Sequence, residues 1–368
     1  MKKNGTTSIA TVALILSAIA MVNCGGEATS TAGFRFSISN VSSVDTSGVL
    51  GDVVLSDCGA YVNQNQGVLG CTGPDPANQY GQYKVSDVVL ADGRKALAFI
   101  ARSFQIPGGV EAVVLGDRPV ILIATETISI AGTLRVKQGF AGGSVADATT
   151  MLGGGEGGGA GGKTGGGGSY CAKGGAGAGS MGGTSGNTYG NTSLVPLTAG
   201  SSGGGLYGGE GGGAIQLVAG VSIAISGIVT APGGAGGPGS GGGAGGSILI
   251  ESPSVSLSGV IAANGGGGTA GTGGGLADEG QASAERARGV PSIEDNSSGG
   301  KGGAGSVMEG ENGSLNSDPA YSDGSFSGSG GGSVGRIRIR ANAFASTGVI
   351  SPTLSSACAT KADLPVTE

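Results

Sequence analysis

The sequence predicts an all-β protein: a parallel β-helix, in which short strands coil into a solenoid, with long glycine-rich insertions. Three observations favour this fold. One strand pattern occurs four times, 85 of the 368 residues are glycine, and two glycine tracts separate the copies of the pattern. Ordinary proteins contain about 7% glycine, so much of this chain is backbone without side chains.

Each copy of the pattern has a short alternating strand, a short break, a second alternating strand, a glycine and a third short strand. The copies are PVILIATETISIAGTLRV (Pro119–Val136), AIQLVAGVSIAISGIVTA (Ala214–Ala231), SILIESPSVSLSGVIAA (from Ser247) and GRIRIRANAFASTGVIS (Gly335–Ser351). The glycine within the pattern is Gly132, Gly227, Gly259 or Gly348. A weaker fifth copy spans Phe104 to Arg118.

The alternation in these copies predicts strands that bury one face. A period of two residues places Ile215, Leu217, Ile223 and Ile225 on the same side. Three short strands cannot bury that side alone, whereas copies stacked on one another can. Glycine at the corners permits sharp bends. Stacked copies therefore predict a solenoid with one continuous apolar core.

The repeated pattern, with paired glycines after each turn, resembles the glycine-rich, right-handed parallel β-helix proteins of bacterial surfaces. These proteins share the pectin-lyase-like architecture and include filamentous adhesins. The resemblance covers roughly Phe104 to Ser351 and implies a right-handed solenoid, here assigned to residues 104–355 with insertions at 139–213 and 265–335. A small β-rich region (34–103) precedes it and a tail (356–368) follows. The resemblance bears on fold more than on function.

The glycine tracts allow three interpretations. They can be flexible, they can thread backbone against backbone as collagen does, or they can cover strands that are apolar on both faces, such as Val120–Ile123. We favour a partly ordered glycine layer on the solenoid, with Tyr170, Tyr189 and Tyr207 as its anchors.

The N-terminus predicts export. Lys2 and Lys3 precede an apolar core, IATVALILSAIAMV, that is short for a membrane span. Two cleavage sites compete. MVNC resembles a bacterial lipobox with Cys24 as the lipidated residue, and the A-x-A sequence ending at Ala20 suits ordinary secretion. We favour the lipoprotein, with residues 1–23 as signal peptide and 24–33 as tether.

The other cysteines suit an oxidising compartment. Removing Cys24 leaves an even number, Cys58, Cys71, Cys171 and Cys358. Cys58 and Cys71 bracket a short polar loop, and we predict that they form a disulfide. Cys171 and Cys358 are a possible second pair that the sequence does not fix.

Composition and motifs argue against most catalytic and nucleotide-binding functions. The chain lacks Trp and also lacks His, the commonest general base and metal ligand. Its net charge of −6 disfavours nucleic acid as a partner. GGGAGGKT (Gly157–Thr164) matches the P-loop pattern, but neither a buried strand nor a helix flanks it. GRIRIR (335–340) is either a basic strip for acidic polysaccharide or lipid headgroups, or a charged outer face that blocks edge pairing. We favour the second interpretation.

Pectin-lyase-like enzymes carry clustered acidic residues with a basic partner, for which the candidates here are Asp117, Arg118, Glu126 and Glu251. They form no sequence cluster. We therefore predict an exported, lipid-anchored protein of the outer membrane or cell surface with a structural or adhesive role, without catalysis, cofactor or metal. The predicted partners are the membrane, through the lipid, and polysaccharide or other envelope components. The alternatives are a carbohydrate-active lyase or hydrolase, a carbohydrate-binding β-helix, and secretion without an anchor.

Overall fold

The computed structural model describes residues 34–48, 50–55, 60–63, 68–71, 82–137, 151–271, 275–292, 297–315 and 327–365. The predicted signal peptide, the tether, Cys24 and Cys58 lie outside these residues. Within them, regular structure consists of strands and turns. The described residues include no helix with the length and apolarity needed to cross a membrane.

The strands are numbered in chain order. They are β1 (Asp52–Val54), β2 (Ala60–Asn63), β3 (Val68–Cys71), β4 (Lys84–Val89), β5 (Lys95–Ile106), β6 (Glu111–Leu115), β7 (Val120–Ile130), β8 (Thr133–Val136), β9 (Ala214–Ala219), β10 (Ser222–Ile225), β11 (Ile228–Thr230), β12 (Ser247–Glu251), β13 (Ser254–Leu257), β14 (Val260–Ala262), β15 (Arg336–Arg340), β16 (Ala343–Ser346), β17 (Val349–Ser351) and β18 (Ala359–Ala362). The four predicted strand segments coincide with β7–β8, β9–β11, β12–β14 and β15–β17.

These strands form two sheets. The larger has 11 strands, with β16-β13-β10-β7-β9-β12-β15-β18 as its main path, and β5 joins β1 and β4 to β7. The smaller has 7 strands in the order β17-β14-β11-β8-β6-β2-β3. Pairing is parallel except between β2 and β3 and between β4 and β5. Consecutive copies of the pattern are therefore stacked in register.

The prediction of a right-handed parallel β-helix is wrong. The first and second strands of the pattern belong to one sheet that curls like a half-barrel, and the third strands form a second parallel sheet. At the predicted corner, β5 and β7 continue as strands of 12 and 11 residues. The register there shifts between Ala101 and Ser103, so the break in this copy of the pattern is a bulge, whereas the other three copies have two separate strands in the same sheet. Alternation identifies strands and faces, but it does not distinguish a bulge from a corner.

The larger sheet is covered on both sides. The main core lies between the two sheets and contains Leu122, Ile128, Ile215 and Ile248. A second apolar cluster on the opposite face of the larger sheet contains Ile121, Ile123, Val218 and Leu249, together with Leu194 and Leu197 from the first insertion. Strands that are buried on both faces have sequences with continuous runs of apolar residues.

The insertions and neighbouring turns form a body that we call the glycine bundle: the described parts of residues 151–213, 232–246, 264–315 and 327–335. Its hydrogen bonds repeat every three residues. The N–H groups of Gly165 and Gly168 donate to one neighbouring segment, at Gly239 and Gly242. Those of Gly166 and Ser169 donate to a second segment, at Ala160 and Gly157. Those of Gly167 and Tyr170 donate to a third, at Gly175 and Ala172. Successive N–H groups thus point to three different neighbours, as expected for the threefold polyproline II conformation.

Three of these segments run parallel around a common axis. Gly168 donates to Gly242 (2.9 Å), Gly242 to Gly330 (3.0 Å) and Gly330 to Gly165 (2.9 Å). The bonds thus pass through all three segments and return to the first, which completes a cycle. The same cycle recurs three residues later, from Gly245 to Ser333 and from Ser333 to Gly168. The three segments, 165–170, 239–246 and 330–335, are called the central trio. Two of them continue directly into β12 and β15.

Close packing explains the glycine content of the trio. A Cβ built on Gly166 would overlap the carbonyl oxygen of Thr184, and one on Gly330 would overlap that of Gly175. In collagen, likewise, only glycine fits at the crowded axis. Of the three interpretations of the tracts, the structure therefore agrees with backbone threaded against backbone, and Leu194 and Leu197 also cover the outer face of the sheet.

Candidate functional site

A strap formed by residues 34–48 crosses the outer face of the larger sheet and is fixed by a buried carboxylate. The backbone N–H and Oγ of Ser39 donate to Glu251 at 3.0 and 2.8 Å, and Nε2 of Gln216 donates to the Ser39 carbonyl at 2.6 Å. Arg340 donates to Oγ of Ser39 at 2.7 Å and forms an ion pair with Glu251. These four side chains join the strap to β9, β12 and β15.

The strap also contacts the glycine bundle. Nδ2 of Asn40 donates to the Leu194 carbonyl (2.9 Å), and the Leu197 N–H donates to Oδ1 of Asn40 (3.1 Å). Asn40 has a φ of 62°, in the left-handed region that asparagine tolerates better than most residues. Phe36 is buried in the outer apolar cluster. The segment that follows the predicted tether is therefore fixed to both parts of the protein.

The three arginines of β15 are structural contacts in this arrangement. Nη2 of Arg336 donates to the Tyr189 carbonyl (3.0 Å), and its guanidinium lies 5.5 Å from the centre of the Tyr170 ring. Nη1 of Arg338 donates to the Thr192 carbonyl (3.0 Å). Burial lowers the pKa of both arginines. Because β15 pairs with β12 and β18, the interpretation as a charged edge is wrong.

The candidate catalytic residues do not share a site in the described structure. Arg118 donates to Asp87 (2.9 Å), and Asp117 and Glu126 are exposed. Glu251 lies beneath the strap with its side chain inaccessible to solvent. A general acid or base must reach its substrate, and Glu251 cannot do so while the strap is in place.

The P-loop-like segment is part of the glycine bundle. The Gly157 N–H donates to Oγ of Ser201 (2.9 Å), that of Gly159 to the Ser202 carbonyl (3.0 Å) and that of Lys163 to the Met181 carbonyl (3.0 Å). A P-loop turns its N–H groups towards phosphate oxygens. These three N–H groups already have partners within the protein.

A disulfide joins Cys171, just after the first segment of the central trio, to Cys358, just before β18. The Cα atoms are 5.6 Å apart and the residues are separated by 187 positions. This is the pair that the sequence left open. The predicted Cys58–Cys71 disulfide involves a residue outside those described, and it stays a prediction.

Exposed apolar side chains lie together at one end of the glycine bundle, where several turns meet. Gly205 donates to the Met151 carbonyl (2.9 Å), Gly237 to that of Tyr207 (2.8 Å), and Gly165 to that of Gly239 (3.0 Å), so several turns meet there. We call this surface the turn end. It consists of Met151, Leu152, Lys163, Met181, Leu206, Tyr207 and Pro238.

The turn end surrounds a depression of about 430 Å³ lined by Met151, Lys163, Leu206, Pro238 and three glycines. Leu152 is 51% exposed and Tyr207 58%. At 3.1 Å per residue, the polyproline II path from Gly239 to Ser247 places this end roughly 25 Å from the start of β12. The depression is thus held apart from the strap.

Sequence reasoning missed the turn end as a surface and assigned Tyr207 to an anchoring role. The available signal was the occurrence of large apolar residues inside tracts that otherwise have few side chains. Met181 occurs singly, Met151–Leu152 and Leu206–Tyr207 occur as pairs, and Gly179 and Gly205 have φ values of 86° and 100° that form the turns. Exposed apolar patches commonly mark interaction sites.

Comparisons with protein-family models, curated proteins and solved structures found no match to this chain.

Proposed function

We propose that this protein is exported and held at the cell surface by a lipid on Cys24, where it has a structural or adhesive role. The sequence supports export through the basic N-terminus and its short apolar core. The strap supports attachment, because load applied at the N-terminus would pass through Ser39 into β12 and β15. The role is that of a rigid body attached at one end.

The observation that carries this proposal is the position of the turn end. Exposed apolar side chains are gathered at turns roughly 25 Å from the sheet by the polyproline II rise, and Met151 and Tyr207 belong to turns joined by backbone hydrogen bonds. Such a surface suits contact with another surface. The carbohydrate-active alternative gains no support from the candidate carboxylates, because Glu251 is sealed beneath the strap.

Two measurements test the proposal. Intact mass of the membrane-extracted protein should correspond to a chain that begins at Cys24 and carries a diacylglyceryl group and an acyl group. The Cys24→Ala variant should leave the membrane fraction. A chain that begins at Met21 without lipid would contradict the anchor.

Surface exposure is measured separately on intact cells. A membrane-impermeant amine reagent should label Lys163, which is exposed at the turn end. Labelling only after the cells are lysed would contradict display at the surface, whatever the result of the mass measurement.

A further inference from the structure

We propose that the strap becomes covalently bonded to the larger sheet by an ester between Oγ of Ser39 and the side-chain carbonyl carbon of Gln216. The bond forms within the folded protein, and ammonia is released. This inference does not rest on the proposed function. It assigns a reaction to the buried polar cluster beneath the strap, and the strap itself supplies one of the two reacting groups.

The two reacting groups are held on the same carboxylate. Oγ of Ser39 donates to Oε1 of Glu251 at 2.8 Å, and Nε2 of Gln216 donates to Oε2 of that carboxylate at 2.6 Å. Nε2 of Gln216 also donates to the backbone carbonyl of Ser39 at 2.6 Å. Because both groups are bound in one place, the reaction needs no encounter in solution and gains the advantage of proximity.

The surroundings of Ser39 are those of an activated nucleophile. A hydroxyl group becomes reactive when a base within hydrogen-bond distance can take its proton and a third group orients that base. Glu251 is the base here, and Nη1 of Arg340 donates both to its carboxylate and to Oγ of Ser39. The bond from Arg340 occupies one lone pair of Oγ, which leaves the other lone pair for attack.

The amide of Gln216 is oriented and polarised for attack. Its nitrogen donates to two acceptors, and its Oε1 accepts a hydrogen bond from Nδ2 of Asn40 at 3.2 Å. Negative charge develops on Oε1 when the carbonyl carbon is attacked, and a fixed donor stabilises that charge. Gln216 and Glu251 are fully buried, so water has little access to the carbonyl carbon or to the ester.

The atoms and protons of the reaction balance. Oγ of Ser39 bonds to Cδ of Gln216 while Glu251 takes the hydroxyl proton. The C–N bond of the amide then breaks, and the carboxyl group returns the proton to Nε2, which leaves as ammonia. The step needs neither an oxidant nor a cofactor, and each protein molecule reacts once. The product links the strap to β9 through a covalent bond.

Peptide mapping of the full-length protein tests this inference. After the disulfides are reduced, a digest should contain the peptides of Ser39 and Gln216 as one species, lighter than their sum by one ammonia molecule. Hydroxylamine at neutral pH should separate them, because it cleaves esters and leaves amides intact. Two separate, unmodified peptides would overturn the inference, as would a link that survives hydroxylamine. A glutamate at position 216 without a link would overturn it too, since water would then be the nucleophile.

Variants of the strap identify the nucleophile. Ser39→Ala should abolish the link, whereas Ser39→Thr keeps a hydroxyl and should retain it. Ser37→Ala is the matched control, since Ser37 is exposed on the same strap, and it should leave the link intact. Circular dichroism confirms that each variant has folded. A link that persists in Ser39→Ala, or that Ser37→Ala abolishes, would contradict the assignment of Ser39.

Asn40→Asp tests the carbonyl that is attacked. This variant keeps the oxygen that accepts the Leu197 N–H group and removes the donor to Oε1 of Gln216. Formation of the link, followed in pulse-labelled chains, should be slower by about 100-fold or more, as for the loss of one such donor. An unchanged rate would contradict attack on the Gln216 carbonyl.

Discussion

Arg340 on β15 lies directly opposite Glu251 on β12, and its guanidinium donates a hydrogen bond to the buried carboxylate. The side chain of Glu251 is fully inaccessible, and that of Arg340 is 13% exposed. Removing one member of a buried ion pair leaves the other charge without compensation. This pair holds the strap through Ser39, so it connects the N-terminal segment to the sheet.

Glu251→Gln should therefore destabilise the protein. We expect the free energy of unfolding to fall by about 3 kcal/mol, as for the loss of a buried charge partner, measured by chemical denaturation. The backbone amide of Ser39 should exchange hydrogen faster in the variant. Asp87→Asn is the control, because that carboxylate is 51% exposed beside Arg118 and such pairs contribute about 0.5 kcal/mol or less. Equal losses in the two variants would show that burial of the pair has no special role.

Gly166→Ala tests the close packing of the central trio. The added Cβ would overlap the Thr184 carbonyl oxygen, and we expect a loss of about 3 kcal/mol, because the backbone on both sides is fixed. Gly108→Ala is the matched control, since nothing lies within 4 Å of a Cβ at that position. It should be neutral or up to about 1 kcal/mol stabilising. The melting temperatures of both variants are measured by thermal unfolding. Similar melting temperatures for Gly166→Ala and Gly108→Ala would contradict the close packing of the central trio.

The Cys171–Cys358 disulfide closes a loop with a sequence separation of 187. Replacing both cysteines by serine should lower the free energy of unfolding by about 5 kcal/mol in the chain-entropy description. Mass spectrometry of non-reduced peptides should recover a peptide pair linked through these two residues. A different pairing, or free thiols at both positions, would contradict it. The same digest tests the predicted Cys58–Cys71 disulfide.

Burial raises the pKa of the Tyr170 and Tyr189 hydroxyls above the ordinary value of about 10. Their hydroxyls donate to the Thr198 and Ala199 carbonyls. The folded protein therefore holds these two protons more tightly than the unfolded chain does. The stabilisation they provide is complete below about pH 10 and declines as the pH rises further.

Absorbance at 295 nm measures this effect. Tyr170 and Tyr189 should remain protonated above pH 10 until the chain unfolds, and Tyr170→Phe should remove one of these two late-ionising groups. In denaturant all seven tyrosines should ionise together. Ionisation of every tyrosine in one step while the protein is folded would contradict the burial of this pair.

The sequence allowed prediction of the strands because alternation is a local property, and β7 to β17 follow it closely. The assembly of those strands was not predicted: in β7, a bulge at Thr125 and Glu126 takes the place of the expected corner. No local pattern distinguishes these two outcomes. Tyr170 and Tyr189 were identified as anchors because aromatic side chains are rare in the glycine tracts.

The site residues were harder to predict, because their surroundings come from distant parts of the chain. In the sequence, Glu251 was a candidate acidic residue without clustered neighbours, but Ser39, 212 positions earlier, covers it. Arg340 is largely covered for the same reason. The turn end depends on which turns meet, and hydrogen bonds between separate segments decide that. Composition alone contains none of this information.

The central trio also fixes the order of events during folding. Its threads lie at 165–170, 239–246 and 330–335, so the cycle cannot close until about nine-tenths of the chain has been made. Contacts between such distant segments form slowly, because a long loop must close first. A chain that is translocated as it emerges would cross the membrane before its glycine threads could assemble, and truncation ahead of residue 330 would leave two threads without the third.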